Sequence, residues 1–227
     1  MPTSRRSSRA RPTLDPSGIV DAALKLAQQA APGAMSFRGL GRELGADPTA
    51  VYRHFRDRNA LVEACLDRLI GEAVGSVPSE APWRERLRVV AHAYYEAVVA
   101  HPVIGAEAGH RTTGGPGELA MLELLLAALV EAGLSRRDTV RYYPLLAGYV
   151  ASMASADAAY RLQDDRVPSS TDRIWVGTQG LLDPDRFPTA YALREELAAL
   201  RTDEVFHTGL ELLLDAVELS AARAAED

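Results

Sequence analysis

Apolar residues recur along this chain at spacings of three and four, the period of an amphipathic helix. Ile19, Ala22, Ala23, Leu26, Ala27 and Ala30 form one such face. Asp15-Pro16 supplies a cap and a first-turn proline before it, and Pro32-Gly33 stops it. Ser36 can cap a second short helix with Phe37, Leu40 and Leu44 inward, and Gly45 is placed to end it. Gly39 and Gly41 weaken that helix but leave room for a close crossing. Asp47-Pro48 repeats the start signal two residues on. Val51 and Phe55 lie four apart and point inward, which leaves Thr49, Arg53 and His54 on the outer side. After a polar break at 56–59, Leu61, Val62, Cys65, Leu66, Leu69 and Ile70 mark a longer helix ending between Gly71 and Gly75.

Helical periods continue through the rest. Trp83, Leu87, Val90, Ala91, Tyr94, Tyr95 and Val98 share a face before His101-Pro102. A glycine-rich linker, HRTTGGPG, precedes an apolar helix over 119–131 that Gly133 ends. Ser135 to Asp138 reads as a capping box opening a long helix towards Arg161. Residues 164–180, DDRVPSSTDRIWVGTQG, are irregular, and Asp183-Pro184 reads as a third helix start. The last helix, from about Thr202, carries an apolar stripe of Phe206, Leu210, Leu213, Leu214 and Val217. With no repeat, no glycine-rich phosphate loop and no alternation of strand and helix patterns, the chain reads as all-α. It has an N-terminal helix-turn-helix three-helix domain followed by a larger helical domain.

Charge changes the picture. The formal net charge of −6 argues against a nucleic-acid partner, yet residues 1–60 carry ten Lys/Arg against five Asp/Glu, and 61–227 carry fifteen against twenty-six. A basic head on an acidic body fits a small DNA-binding domain joined to one that does not bind DNA. Four of those arginines, Arg5, Arg6, Arg9 and Arg11, lie in an aperiodic stretch expected to form a flexible basic arm over 1–13. Such an arm can lie in the minor groove or remain free. The single cysteine, Cys65, excludes an intrachain disulfide and falls on a core face. No apolar run is long enough to span a bilayer, and the basic start has no apolar segment behind it, so the expected location is cytoplasmic.

The stretch SFRGLGRELGADPTAVYRHFRDRNALVEACLDRL, residues 36–69, resembles the helix-turn-helix and linking helix of the TetR family of bacterial transcriptional regulators. The tail DEVFHTGLELLLDAVE resembles, more loosely, the end of that family's tetracycline-repressor-like C-terminal domain. The resemblance implies an all-helical homodimer. Residues 14–60 would bind a palindromic operator in double-stranded DNA, and 61–222 would dimerise and bind a small-molecule effector that releases the DNA. It also implies DNA contacts from Ser36, Arg38, Pro48, Thr49, Ala50, Tyr52, His54 and Arg58. The chemistry of these side chains agrees. A guanidinium at Arg38 can grip guanine or phosphate by two bonds, and Thr49 offers a hydroxyl and a methyl. Arg58 adds charge near a helix N-terminus. Tyr52 reads equally as a core aromatic and as a phosphate contact.

An effector pocket is expected among the middle helices. Its candidate lining residues are Tyr94, Tyr95, His101, His110, Met121, Tyr142, Tyr143, Met153 and Trp175. The alternative for each is ordinary core. Dimer contacts are expected from Gly148, Ser152 and Ala156, in a run of small residues, and from Phe206, Leu210, Leu213, Leu214 and Val217. The alternative is that both stripes pack internally. The irregular 164–180 segment either covers the pocket entrance or moves freely. His92, His101 and His110 recur at a spacing that one helix face cannot carry, so no metal or cofactor is expected. The magnesium–drug ligand set of tetracycline-binding relatives finds no match here. Two other functions stay open: a constitutive DNA-binding protein without an effector, and a helical enzyme. No spacing selects a nucleophile and base for the enzyme, so the expectation is that it is not one.

Overall fold

The computed structural model describes residues 15–29, 35–162 and 182–226. The basic arm, Pro32-Gly33 and the 164–180 segment with Trp175 lie outside them. The elements are helices throughout, and no β-strand forms among the described residues. They are α1 (Pro16–Ala27), α2 (Phe37–Glu43), α3 (Pro48–Tyr52), α4 (Arg58–Gly75), α5 (Trp83–Ala100), α6 (Pro102–Gly105), α7 (Pro116–Glu131), α8 (Arg136–Tyr160), α9 (Pro188–Ala192), α10 (Arg194–Ala199) and α11 (Thr202–Glu226). A 3₁₀ turn, Ala108–His110, follows α6.

The expected caps form. Asp15 accepts from Gly18 N at 2.7 Å, Ser36 from Gly39 N at 3.1 Å, and Ser135 from Asp138 N at 3.2 Å. Asp57, at the polar break, caps α4 through Ala60 N at 2.8 Å. Ile19, Ala23, Leu40, Val51, Leu61, Val62 and Cys65 are fully buried and join α1 to α4 in one small core. Burial, against the lowering charge of Arg68 and with a smaller push from Asp21, raises the Cys65 thiol to about 12 and keeps it protonated at neutral pH.

α4 continues beneath the second domain and packs most extensively on α7, and α8 packs on α5, α6, α7 and α11. α4 and α7 cross at Gly71 and Gly117, where a side chain on Gly117 would strike the Asp67 carbonyl. Asp67 also caps α7, accepting from Gly117 N at 3.1 Å and Glu118 N at 3.0 Å. One expectation changes. Asp183-Pro184 starts no helix: the Asp183 carboxylate accepts from Asp185 N at 2.9 Å in a tight turn, and α9 begins at Pro188. Pro144 lies inside α8 without ending it.

α11 docks on α5 through charge as well as apolar contact. Arg88 Nε meets Glu211 Oε1 at 2.6 Å, and Arg84 Nη2 meets Glu211 Oε2 at 2.8 Å. The Arg88 hydrogen bonds outweigh partial burial and, with Arg84, hold the Glu211 carboxyl down to about 2. Because the folded value is depressed, this contribution is present above the ordinary glutamate range of about 4.3 and is lost as pH falls through about 2. The stability gap between the parent and Glu211→Gln is therefore expected to be flat from about pH 5 to 8 and to close on acidification. A gap that is unchanged in thermal melts down to about pH 2 would contradict this.

Candidate DNA-binding surface and effector cavity

The turn between α2 and α3 is built from its backbone outward. Gly45 adopts φ 59°, and the carbonyls of Arg42 and Gly41 accept from Gly45 N at 3.3 Å and Ala46 N at 2.8 Å. This doubly bonded stop needs a left-handed residue at Gly45. Asp47 then opens α3 by accepting from Thr49 N at 2.8 Å and Thr49 Oγ1 at 2.6 Å. The Thr49 hydroxyl proton is thus committed within the chain, leaving its methyl and an acceptor lone pair outward. Val51 and Phe55 are buried as expected.

Ser36, Arg38, Thr49, Tyr52, His54 and Arg58 are exposed, with Pro48 and Ala50 half-buried between them. Tyr52 packs on one neighbouring ring and still faces outward. Its ring sits edge-on to Phe37 at 4.4 Å, yet the residue is 57% exposed. Arg38, Arg42 and Arg53 are exposed and have no ion-pair partner among the described residues. Arg58 differs: its guanidinium meets Glu107 Oε1 at 2.6 Å. Arg5, Arg6, Arg9 and Arg11 lie outside the described residues.

A cavity of about 350 Å³ opens between α5, α7 and α8, with Ile70 of α4 and Leu210 of α11 on its wall. The structure brings Tyr94, Met121 and Tyr143 together there. Burial, with a contribution from the Glu118 charge, pushes the Tyr94 phenol up to about 12. Neither the Tyr94 nor the Tyr143 hydroxyl has a hydrogen-bond partner among the described residues. Glu118 reaches the wall with one carboxylate oxygen engaged by Thr113 N at 2.6 Å and Gly114 N at 2.6 Å. Arg111 and Thr112 complete the polar part. Sequence reading missed Arg111, Glu118 and Pro144 as wall residues. Arg111 lies in the HRTTGGPG linker, whose charge in a glycine-rich connection was the available signal.

Residues 19–65 match the family described as bacterial regulatory proteins, tetR family, and residues 77–220 match the tetracyclin repressor-like C-terminal domain. The chain belongs to the TetR family. An HTH-type transcriptional regulator of Saccharopolyspora erythraea is 31% identical over 160 residues, 70% of this chain and 68% of that one. The HTH-type transcriptional repressor DrrR1 of Streptomyces coeruleorubidus is 27% identical over 234 residues, 97% of this chain and 84% of that one. The TetR family protein ActR of Streptomyces coelicolor, solved in complex with actinorhodin, shares the fold with a TM-score of 0.71 at 22% identity, covering 91% of this chain and 96% of that one. This TetR-family chain is thus similar to transcriptional regulators over nearly its whole length.

Several expected pocket residues of this TetR-family protein face elsewhere. Tyr95 is one step along α5 from Tyr94, about 100° around the helix. It donates to Asp157 Oδ2 at 2.9 Å and stacks on Phe206 at 4.1 Å. His101 is buried at the end of α5, bonded to Ala97 O at 2.7 Å and to Gln28 Nε2 at 3.0 Å. His110 is exposed. The Tyr142 hydroxyl pairs with Ser220 Oγ at 2.7 Å, tying α8 to α11, and Met153 packs into the core away from the cavity wall. Trp175 lies outside the described residues.

The expected dimer stripe on α11 is corrected likewise. Phe206, Leu210, Leu214 and Val217 are buried within the chain, and Leu213 is half-buried, because this face docks on α5 and α8. The outer face of α11 instead exposes Leu212 and Leu219. On α8, Gly148, Ser152 and Ala156 are exposed beside Leu145. No described helix is long and apolar enough to cross a membrane.

Proposed function

We propose that this TetR-family chain is a ligand-responsive repressor that binds a palindromic operator as a homodimer and is released by a small molecule held among α5, α7 and α8. The observation that carries the reading is the cavity, whose mainly apolar wall holds two phenol hydroxyls without a hydrogen-bond partner among the described residues, and Arg111, Thr112 and Glu118 at its polar side. Its volume, about 350 Å³, is at the lower end of small-molecule sites. An effector of mostly apolar, ring-rich character with hydrogen-bonding oxygens suits it. The repressor name of DrrR1 and the ligand-bound form of ActR support the same reading.

In this scheme Ser36, Arg38, Pro48, Thr49, Ala50, Tyr52, His54 and Arg58 form the operator-facing surface, with Arg5, Arg6, Arg9 and Arg11 as an additional basic arm in the cytoplasm. Exposed Leu145, Gly148, Ser152 and Ala156 of α8 pair with Leu212 and Leu219 of α11 across the twofold. Residues 61–222 then act as the effector and dimer unit. α4 joins the two functions, since its first turn follows α3 and Ile70 further along touches the cavity. An effector that favours a wider separation of the two α3 helices draws the dimer off DNA by its differential affinity for that state.

The test is fluorescence anisotropy on DNA from the chain's own upstream region at two salt concentrations, followed by a compound screen for release. Affinity is expected to fall steeply as salt rises. Ala91→Phe, which places a ring in the cavity from a buried position on α5, is expected to keep operator affinity within about twofold. The same variant is expected to weaken the response to a releasing compound by at least about tenfold. A variant that binds DNA and still responds fully would remove the cavity from the scheme.

A further inference from the structure

We propose that Glu107 sets operator affinity by competing with DNA phosphate for Arg58, and that Arg111 ties this competition to the cavity wall. The inference rests on the reading of Arg58 as a phosphate contact. Arg58 opens α4 immediately after the Asp57 cap, so it stands at the operator-facing end of that helix. Its guanidinium nonetheless turns to Glu107, 49 residues further along the chain, at 2.6 Å. Glu107 sits in the connection between α6 and the 3₁₀ turn, on the effector unit.

Glu107 has two oxygens and two cationic partners. Oε1 takes Arg58. Oε2 accepts from Arg111 Nε at 3.0 Å and Nη2 at 2.5 Å. Arg111 also donates from Nη2 to Asn59 Oδ1 at 3.0 Å, and its Nη1 lies 3.7 Å from Glu63 Oε1. The residue beside Arg58 is therefore held by the same guanidinium that holds Glu107. Arg111 and its neighbour Thr112 both line the cavity. Partial burial alone would raise the Glu107 carboxyl, but hydrogen bonds and charge from Arg58 and Arg111 hold it below the usual carboxylate range. Glu107 thus remains an anion able to neutralise Arg58.

The consequence is a shared counterion. A phosphate approaching Arg58 must draw the guanidinium from Glu107 or share it, and only a cation released from an internal partner adds in full to the electrostatic grip on DNA. Arg111 weakens the hold of Glu107 on Arg58 by occupying the other oxygen. An effector that pulls Arg111 towards the cavity leaves Glu107 to Arg58 alone and lowers operator affinity.

The sign of a mutational effect tests this. A Glu107 that merely orients Arg58 towards phosphate would make Glu107→Gln weaken binding, whereas competition makes the same variant bind more tightly. Full-length protein is measured on its operator fragment across a salt series. Glu107→Gln is expected to tighten binding by roughly three- to tenfold for a dimer. It is also expected to steepen the dependence of log affinity on log salt by roughly one unit per subunit. Arg58→Gln is expected to weaken binding and flatten that dependence, and adding Glu107→Gln to it is expected to change nothing further. Arg111→Gln is expected to weaken binding, and Glu107→Gln/Arg111→Gln to regain at least parental affinity. That recovery is one a simple folding defect at Arg111 would not show. If Arg58→Gln weakens binding while Glu107→Gln leaves it unchanged or weaker, the competition is overturned and the phosphate contact stands. If Arg58→Gln has no effect on a protein that still binds operator, the phosphate reading fails first and this inference with it.

Discussion

Replacing Phe206 with alanine is expected to lower the unfolding free energy by about 3–5 kcal/mol. The side chain is wholly buried at the start of α11 and is the point where three helices meet. Its ring stacks on Tyr95 of α5 at 4.1 Å with an interplanar angle of 17°, and it lies parallel to Tyr149 of α8 at 6.1 Å. His92 of α5 meets it edge-on at 5.4 Å. Truncation removes the transfer free energy of the ring and leaves a void that these neighbours cannot fill without leaving their own partners. Tyr95 is held by Asp157, and the Tyr149 hydroxyl donates to Val205 O at 2.9 Å. At fixed protein concentration the loss corresponds to a fall in melting temperature of roughly 10 °C for a chain of this size. A loss below about 1 kcal/mol in urea unfolding would show that α11 is held by its ion pairs and not by this ring.

Gly117→Ala is expected to cost about 1–3 kcal/mol and to disturb operator binding at a distance. A Cβ there would lie 2.1 Å from Asp67 O and 3.0 Å from Gly71 N. Both are backbone atoms, so no rotamer change relieves the clash and α4 must move away from α7. That movement pulls Asp67 from the Gly117 and Glu118 amides it caps. It also reaches the N-terminal end of α4, which is continuous with the crossing. Gly71→Ala is the control on the facing helix. Its Cβ would meet only Gly117 Cα, at 3.7 Å, an ordinary contact. The pair is compared by urea unfolding and operator titration. Equal stability of the two variants would refute the account of this crossing.

The turn between α2 and α3 was legible because it is local. Ser36, Gly45, Asp47 and Pro48 each act on backbone groups within a few residues, so their types and order imply the α2–α3 arrangement before any tertiary contact is known. Asp183-Pro184 shows the limit of such reasoning. The same pair that opens α1 and α3 closes an Asx turn there, because no apolar face follows closely enough to continue a helix.

Long-range features divide differently. The sequence by itself determined the all-helical class, the caps, the buried faces of α1 to α4 and the basic head on an acidic body, since each depends on residue type and a 3.6-residue period. Only the tertiary structure decided what covers each apolar face. It turned the Phe206–Val217 stripe inward, left Leu212 and Leu219 outside, and separated Tyr94 from Tyr95 into a cavity wall and a core hydrogen bond. It also joined Arg58 to Glu107 and placed Arg111 between the helix start and the cavity. The physical reason is that periodicity specifies which side of a helix avoids water, whereas the partner on that side depends on how helices far apart in the chain cross.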